Sequence, residues 1–338
     1  MQLIKHLGAF TSSTRDIINQ NFAMAGFGTV GQILYLDPAN GNDSSAVPND
    51  QTLPYKTLLA AYGAANAGKN DTIVLISDGA TTSTARVDAA FTWAKNATHL
   101  IGLCAPSYFS QRARIAPTAS TTAFAAFFTV TAADCLFNNV QFWHGFTTGT
   151  TSMICMAISG SRNVFINCHI AGMGDNASAQ SAGSRSLKIT NDENYFYHCV
   201  IGNDTVTRTT TNASLELDKN ATSGLGAARN VFEDCDFPCY ASASTPVFVK
   251  TSAGSLDRWT KFKDCIFATP GSLSGGVTVA AVATMAAAGG GGLLMHYCAR
   301  YGITDWGTDA PSKAQIFVMG AGSVATNTNT CGLGAVAT

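Results

Sequence analysis

The chain is short of charge. Only 12% of its 338 residues are Asp, Glu, Lys or Arg, about half the ordinary share. Lys and Arg number 20 against 21 Asp and Glu, and no basic stripe stands out, which argues against nucleic acid as a main partner. Glutamate is nearly absent: Glu193, Glu216 and Glu233 are all there is. The longest apolar candidate, Val277 to Ala288, runs into Gly289–Gly292, so no segment reaches the roughly 18 residues of a transmembrane helix. Met1 to Leu7 lack the apolar core and cleavage site of a signal peptide, so synthesis in a reducing cytoplasm is expected. No Gly-x-x-x-x-Gly-Lys-Ser/Thr phosphate loop, no Gly-x-Ser-x-Gly elbow and no Cys-x-x-Cys occurs. Zinc-type Cys/His spacing and an Asp-rich calcium loop are also missing, so neither a metal nor another cofactor is expected.

What is present points to a large β structure. Hydrophobic residues make up 46%, with 32 glycines and a mean hydropathy of +0.13, which is incompatible with disorder. The length suits two domains or one long β-rich domain with a sizeable core. The ten cysteines have Cys235/Cys239 as their closest pair. In a cytoplasmic product they read as small buried hydrophobes rather than disulfide partners.

Residues 1–32 form a lead in which Ile17, Ile18 and Phe22 share roughly one helical face before Gly26-Phe27-Gly28. So short an amphipathic stretch does not fold alone, so it is expected to dock on the body or on a partner. Thr57 is a candidate N-cap for a short helix with Leu58, Ala61, Tyr62 and Ala65 on one face, closed by Gly68. Asp71 to Ser77 and Thr98 to Leu103 read as strands, and strands and turns alternate from there on.

An internal repeat dominates the rest. Asn163-Val164-Phe165-Ile166-Asn167-Cys168-His169-Ile170 recurs as Asn194-Tyr195-Phe196-Tyr197-His198-Cys199-Val200-Ile201. It recurs again from Asn230, with Phe232 and Cys235, and from Thr260, with Phe262 and Cys265. Weaker copies run from Cys135 to Phe142 and from Leu293 to Arg300. The equivalent positions Val140, Cys168, Cys199, Cys235, Cys265 and Cys298 are spaced by 28, 31, 36, 30 and 33 residues, as in a coil with a fixed stretch and a variable loop. Within a copy, Phe to Cys is three residues and Cys to Ile is two, whereas a straight strand demands two and two. The extra residue predicts a corner at Asn139, Asn167, His198, Asp234, Asp264 and Tyr297. Asn, Asp and His tolerate the left-handed conformation such a corner needs. Phe165, Phe196, Phe232 and Phe262 are then one interior ladder, and Cys168, Cys199, Cys235 and Cys265 another.

This repeat resembles the single-stranded right-handed parallel β-helix of the pectate-lyase-like superfamily, over about residues 33–310. The stretch Tyr35-Leu36-Asp37, Gly41-Asn42-Asp43, Pro54-Tyr55-Lys56-Thr57-Leu58 and Asp71-Thr72-Ile73-Val74 looks like the beginning of that fold, where a short helix plugs the open end. The resemblance implies an all-β solenoid with a short N-terminal capping helix and extended terminal arms. Residues 1–32 would be a docking arm, 33–310 the β-helix, and 311–338 a C-terminal strand and extended arm. The uncharged stretch from Gly320 to Thr338 reads either as a disordered terminus or as an arm ordered by a neighbouring subunit. The lead Thr14-Arg15-Asp16, Asn19-Gln20-Asn21-Phe22 is similar to N-terminal segments of tailed-bacteriophage structural proteins. The fold itself carries lyases, hydrolases and non-enzymatic virion proteins.

Glycan cleavage needs two carboxylates roughly 5–10 Å apart. The candidate acid clusters are Asp192/Glu193, Glu216/Asp218 and Glu233/Asp234/Asp236, of which Glu216 and Asp218 share a strand face and form the best pair. Arg112 and Arg114 also stand two apart, facing either solvent or an acidic partner. The expectation is a non-enzymatic structural virion protein, most simply a capsid decoration or cement protein. It would be a homotrimer on the capsid surface, contacting the major capsid protein or other virion proteins through Ile17, Ile18, Phe22, Arg112 and Arg114. The alternative is a trimeric tailspike that binds or cleaves a host surface polysaccharide, with Glu216 and Asp218 as its catalytic pair. No membrane or nucleic-acid partner is expected.

Overall fold

The computed structural model describes residues 31–118, 124–145, 153–221, 224, 226–269, 277–286, 290–308 and 315–319. The lead residues Ile17, Ile18 and Phe22, and the tail from Gly320, lie outside these. Among the described residues no helix is long and apolar enough to cross a membrane.

Each coil contributes one strand to each of three parallel sheets. In the coil around Cys168, Val164–Ile166 belongs to the first sheet, His169–Ala171 to the second and Arg185–Ile189 to the third, and Tyr195–Tyr197 starts the next coil. Among the described residues the first sheet has ten strands, the second nine, eight of them along its main path, and the third eight. The result is an all-β, right-handed parallel β-helix.

The first two sheets meet at a one-residue corner. Asn139, Asn167, His198, Asp234, Asp264 and Tyr297 all have φ between 48° and 56°, the left-handed region. One such residue turns the chain so that the Phe before it and the Cys or Val after it both point inward. Phe137, Phe165, Phe196, Phe232 and Phe262 are in register from coil to coil. Their rings stack 4.7–4.8 Å apart and within 8° of parallel. Cys168, Cys199, Cys235 and Cys265 are fully buried and carry no disulfide. Burial pushes the Cys199 and Cys235 thiols well up from their ordinary range.

A second left-handed corner lies at the other end of the first sheet, at Ala97, Asp134, Arg162, Glu193 and Arg229. The residue after it is turned inward, and in three successive coils it is a buried asparagine: Asn163, Asn194 and Asn230. These amides bond up the axis, each using the next coil's side-chain oxygen.

The helix Leu58–Ala64 starts at Thr57, whose Oγ1 accepts from the Ala60 N–H, and buries Leu58, Ala61 and Tyr62. It ends at Ala65 rather than at Gly68. Gly68 has φ +72° three residues later, where the chain turns toward the next strand. At the far end Ile316–Met319 pairs with Leu293–His296, so the first sheet continues past residue 310.

Candidate functional site

Three surface clusters bring together chemically capable side chains. The first lies on the outer face of the third sheet, where register places Lys188 beside Glu216 and Glu216 beside Lys250. Arg185 Nε donates to Glu216 at 3.1 Å, Lys188 Nζ is 3.8 Å from Glu216 and 2.6 Å from Asp218, and Ser252 also bonds Asp218. Glu216 and Asp218 do share this face, but as the anionic half of an ion-pair network. Burial would raise Asp218, yet Lys188 and Ser252 outweigh it and hold its carboxyl below the usual range. A carboxylate held ionised by a contacting ammonium does not donate a proton at neutral pH. The other acid clusters are largely paired as well: Arg229 reaches both Asp192 and Glu193 at 2.8 and 2.9 Å, and Lys263 reaches Glu233 at 2.5 Å, while Asp236 makes no ion pair among the described residues.

The second cluster is a strap. Residues 104–112 leave the strand Thr98–Leu103 and run along the solenoid axis over the corner and the second sheet. Gln111 Nε2 donates to Asn167 O at 2.5 Å, the Ser110 N–H donates to His169 Nδ1 at 3.2 Å, and Tyr108 Oη donates to Asp234 O at 3.2 Å. The Tyr108 ring lies on His198, 4.2 Å between centroids, and His198 in turn contacts Asp234 at 2.8 Å. Beneath the strap Arg114, Gln141 and His169 form a bonded row, through Arg114 Nε to Gln141 Oε1 at 2.5 Å and Gln141 Nε2 to His169 Nδ1 at 3.1 Å. With Nδ1 accepting twice, His169 carries its proton on Nε2 and donates to Gly202 O at 3.0 Å. Burial lowers its pKa to about 4. Burial, then the neighbouring Asp234 charge, raises Asp236 beside the strap, with His198 opposing.

The third cluster is a group of arginines on the outer side of the second sheet near the N-terminal end: Arg86, Arg112 and Arg114. Arg112 lies in the loop and Arg114 opens the strand Arg114–Pro117. Burial, then the charges of Arg112 and Arg86, lowers Arg114. A small cavity of about 30 Å³ opens between Gly79, Ala80, Thr81, Thr84, Arg112 and Arg114.

Sequence reasoning found Glu216, Asp218, Arg112 and Arg114, but not Arg185, Lys188, Arg86 or the strap residue Tyr108. Lys188 precedes its coil's Cys199 by 11 residues, and Glu216 precedes Cys235 by 19. The repeat register therefore does not carry over to the third sheet, and only three-dimensional pairing matches the two. A shallow open depression of about 420 Å³ along the first sheet involves His99, whose Nδ1 already accepts from the Leu136 N–H at 3.0 Å. Among the described residues no three His, Cys, Asp or Glu side chains converge as a metal site would require.

No protein-family model matches the chain, and no curated protein matches it. Solved structures are similar in fold. A pectin methylesterase from Aspergillus niger matches at 13% identity and TM-score 0.45, over 87% of this chain and 92% of that one. The pectin methylesterase PemA from Erwinia chrysanthemi matches at 13% identity and TM-score 0.41, over 69% and 78%. ORF18 of Geobacillus virus E2 matches at 13% identity and TM-score 0.46, over 88% of this chain and 53% of that one. At such identities the likeness concerns the path of the backbone and assigns no activity.

Proposed function

We propose that this chain is a structural virion protein of a tailed phage, a non-catalytic capsid decoration protein acting as a rigid homotrimeric buttress. The observation that carries the reading is the treatment of charge on its surface. Glu216 and Asp218, the best candidates for proton transfer, are neutralised within the fold by Arg185 and Lys188. Arg86, Arg112 and Arg114 are left without a carboxylate among the described residues. A candidate acid pair neutralised within the fold, beside a cationic group left open, suits docking better than proton transfer. The stacked rings and amide ladder supply the stiffness such a role needs, and the sequence likeness of residues 14–22 to phage structural proteins supports the setting.

The test is copy number and position. Quantitative mass spectrometry of separated heads and tails should find hundreds of copies, all on heads. A few trimers per particle on tails would replace this reading with the tailspike alternative. One observation favours that alternative: Tyr197 and Tyr297 are 42% and 59% exposed along the edge that also carries Glu233 and Lys263, an arrangement able to stack on sugar rings.

A further inference from the structure

We infer that Arg86, Arg112 and Arg114 form a preorganised receptor for side-chain carboxylates of a protein partner. The inference rests on the docking reading above and names the chemistry of the docked surface.

The pocket is built, not incidental. Its floor is the turn at residues 77–80, where Gly79 has φ +89°, a conformation L-residues rarely adopt. Ser77 Oγ donates to the Arg112 carbonyl at 2.8 Å and meets Ser83 Oγ at 2.9 Å, while Ser83 Oγ also bonds Ala80 O at 2.8 Å. This clamp fixes the turn against the backbone of Arg112. Arg114 is aimed by its Nε bond to the buried Gln141. Arg86, on the paired strand Ala85–Val87, is anchored by Nη1 to Pro117 O at 2.9 Å.

These anchors leave the terminal nitrogens of Arg114 and the whole Arg112 guanidinium without an acceptor among the described residues. None of the three arginines makes an ion pair there. Three like charges held together are mutually repulsive, and the fold supplies the cost of gathering them. The cavity at Arg112 and Arg114, about 30 Å³ with the Thr81 and Thr84 side chains in its wall, admits a group of a few atoms. A guanidinium fork matches the two oxygens of a carboxylate.

Charge around the pocket selects the partner. Asp78 is exposed in the turn that floors the pocket, and its carboxylate is fixed by the Ala80 N–H at 2.9 Å. A continuous phosphate backbone would run against this acid. A single Asp or Glu side chain projecting from a protein surface enters past it.

The test uses the full-length chain and three probes in low salt: N-acetyl-tetraglutamate amide, inorganic phosphate and an octathymidylate. Calorimetry should show the peptide binding the wild type more than tenfold tighter than phosphate or oligonucleotide. Arg112→Glu should weaken the peptide at least tenfold with no fall in melting temperature, because its side chain is exposed, makes no bond among the described residues, and its loss relieves like-charge repulsion. Arg86→Gln should weaken it several-fold. Absent peptide binding, peptide binding unaffected by Arg112→Glu, or equal binding of phosphate or the oligonucleotide would each overturn the inference. The decoration reading fails separately, if the wild type does not load onto heads.

Discussion

Asn194 Oδ1 accepts two hydrogen bonds from Asn163, one from its backbone N–H and one from its side-chain Nδ2, both at 3.1 Å, across 31 residues of sequence. Asn194 repeats the relationship with Asn230, at 2.9 and 3.1 Å, and its Nδ2 also reaches Gly160 O at 3.2 Å. Replacing Asn194 by Ala removes the acceptor of the Asn163 donors and a donor to the Gly160 carbonyl at a buried site. Each orphaned group costs about 1–3 kcal/mol, so Asn194→Ala should destabilise by about 3–5 kcal/mol in urea unfolding. Asn194→Asp keeps the acceptor but loses the donors and buries a charge, and should be worse at neutral pH. A loss below 1 kcal/mol for Asn194→Ala would remove the ladder from the list of forces that hold the coils together.

Arg208 is a fully buried cation without a carboxylate partner among the described residues. Its guanidinium instead donates to Asn212 Oδ1, Ser214 Oγ, Asn212 O and Val247 O at 2.6–3.0 Å. Arg208→Met matches its length but abandons four acceptors. Unfolding should show a loss of about 3 kcal/mol or more, and Arg208→Lys should recover only part of it because an ammonium cannot span the same fork.

The ring stack and the thiol row behave differently under substitution. Phe196 has a ring 4.7 Å away on each side, so Phe196→Ala should cost about 3–5 kcal/mol. Cys199→Asp places an unpartnered carboxylate between Cys168 and Cys235 and should abolish soluble folded protein. In the native chain a thiol reagent should leave Cys168, Cys199, Cys235 and Cys265 unlabelled until denaturant is added, while the half-buried Cys104 reacts early. Rapid native labelling of any of the four would contradict their burial.

Stability should fall as pH drops from about 6.5 to about 4. His169, with its pKa lowered by burial to about 4, stays neutral in the folded chain through this window. The unfolded imidazole takes up a proton below about 6.5. The unfolded state therefore binds more protons, and acid favours it. Arg114 reinforces the depression and Asp204 and the Gly202 carbonyl oppose it. The full effect of this one group is about 3 kcal/mol. Buried His144, lowered to about 3, acts in the same direction, so His169→Gln should remove part of the slope and leave the rest. An unchanged slope in that variant, followed by chemical denaturation at several pH values, would exclude His169 as a source.

The corner between the first two sheets was legible in sequence because one residue both breaks the period of two and recurs beside a fixed Phe and Cys. The second corner was not. Ala97, Asp134, Arg162, Glu193 and Arg229 share a left-handed backbone but no chemistry, so composition leaves no trace of it. Asn163, Asn194 and Asn230 were visible as the first letters of three copies, yet their stacking shows only when successive coils are brought into register. The arginine cluster was half visible: Arg112 and Arg114 are neighbours in sequence, whereas Arg86 reaches them only because its strand lies one coil earlier. The ion pairs that occupy Glu216 and Asp218 come from a strand separated by a loop of variable length, which spacing alone does not predict.

The strap changes the unfolding of the whole rod. In a stack where each coil touches only its neighbours, an end frays like a zipper, one rung at a time. Tyr108 leaves a coil near the beginning and bonds the carbonyl of Asp234, 126 residues later, with Ser110 and Gln111 fastened at points between. Rungs under this stitch share a fastening that is not nearest-neighbour. Fraying that arrives from the C-terminal end must release Tyr108 from Asp234 before the coil of His198 can open. Pulling on the chain from that end should therefore meet a discrete force step at the coil of Asp234, followed by a larger opening.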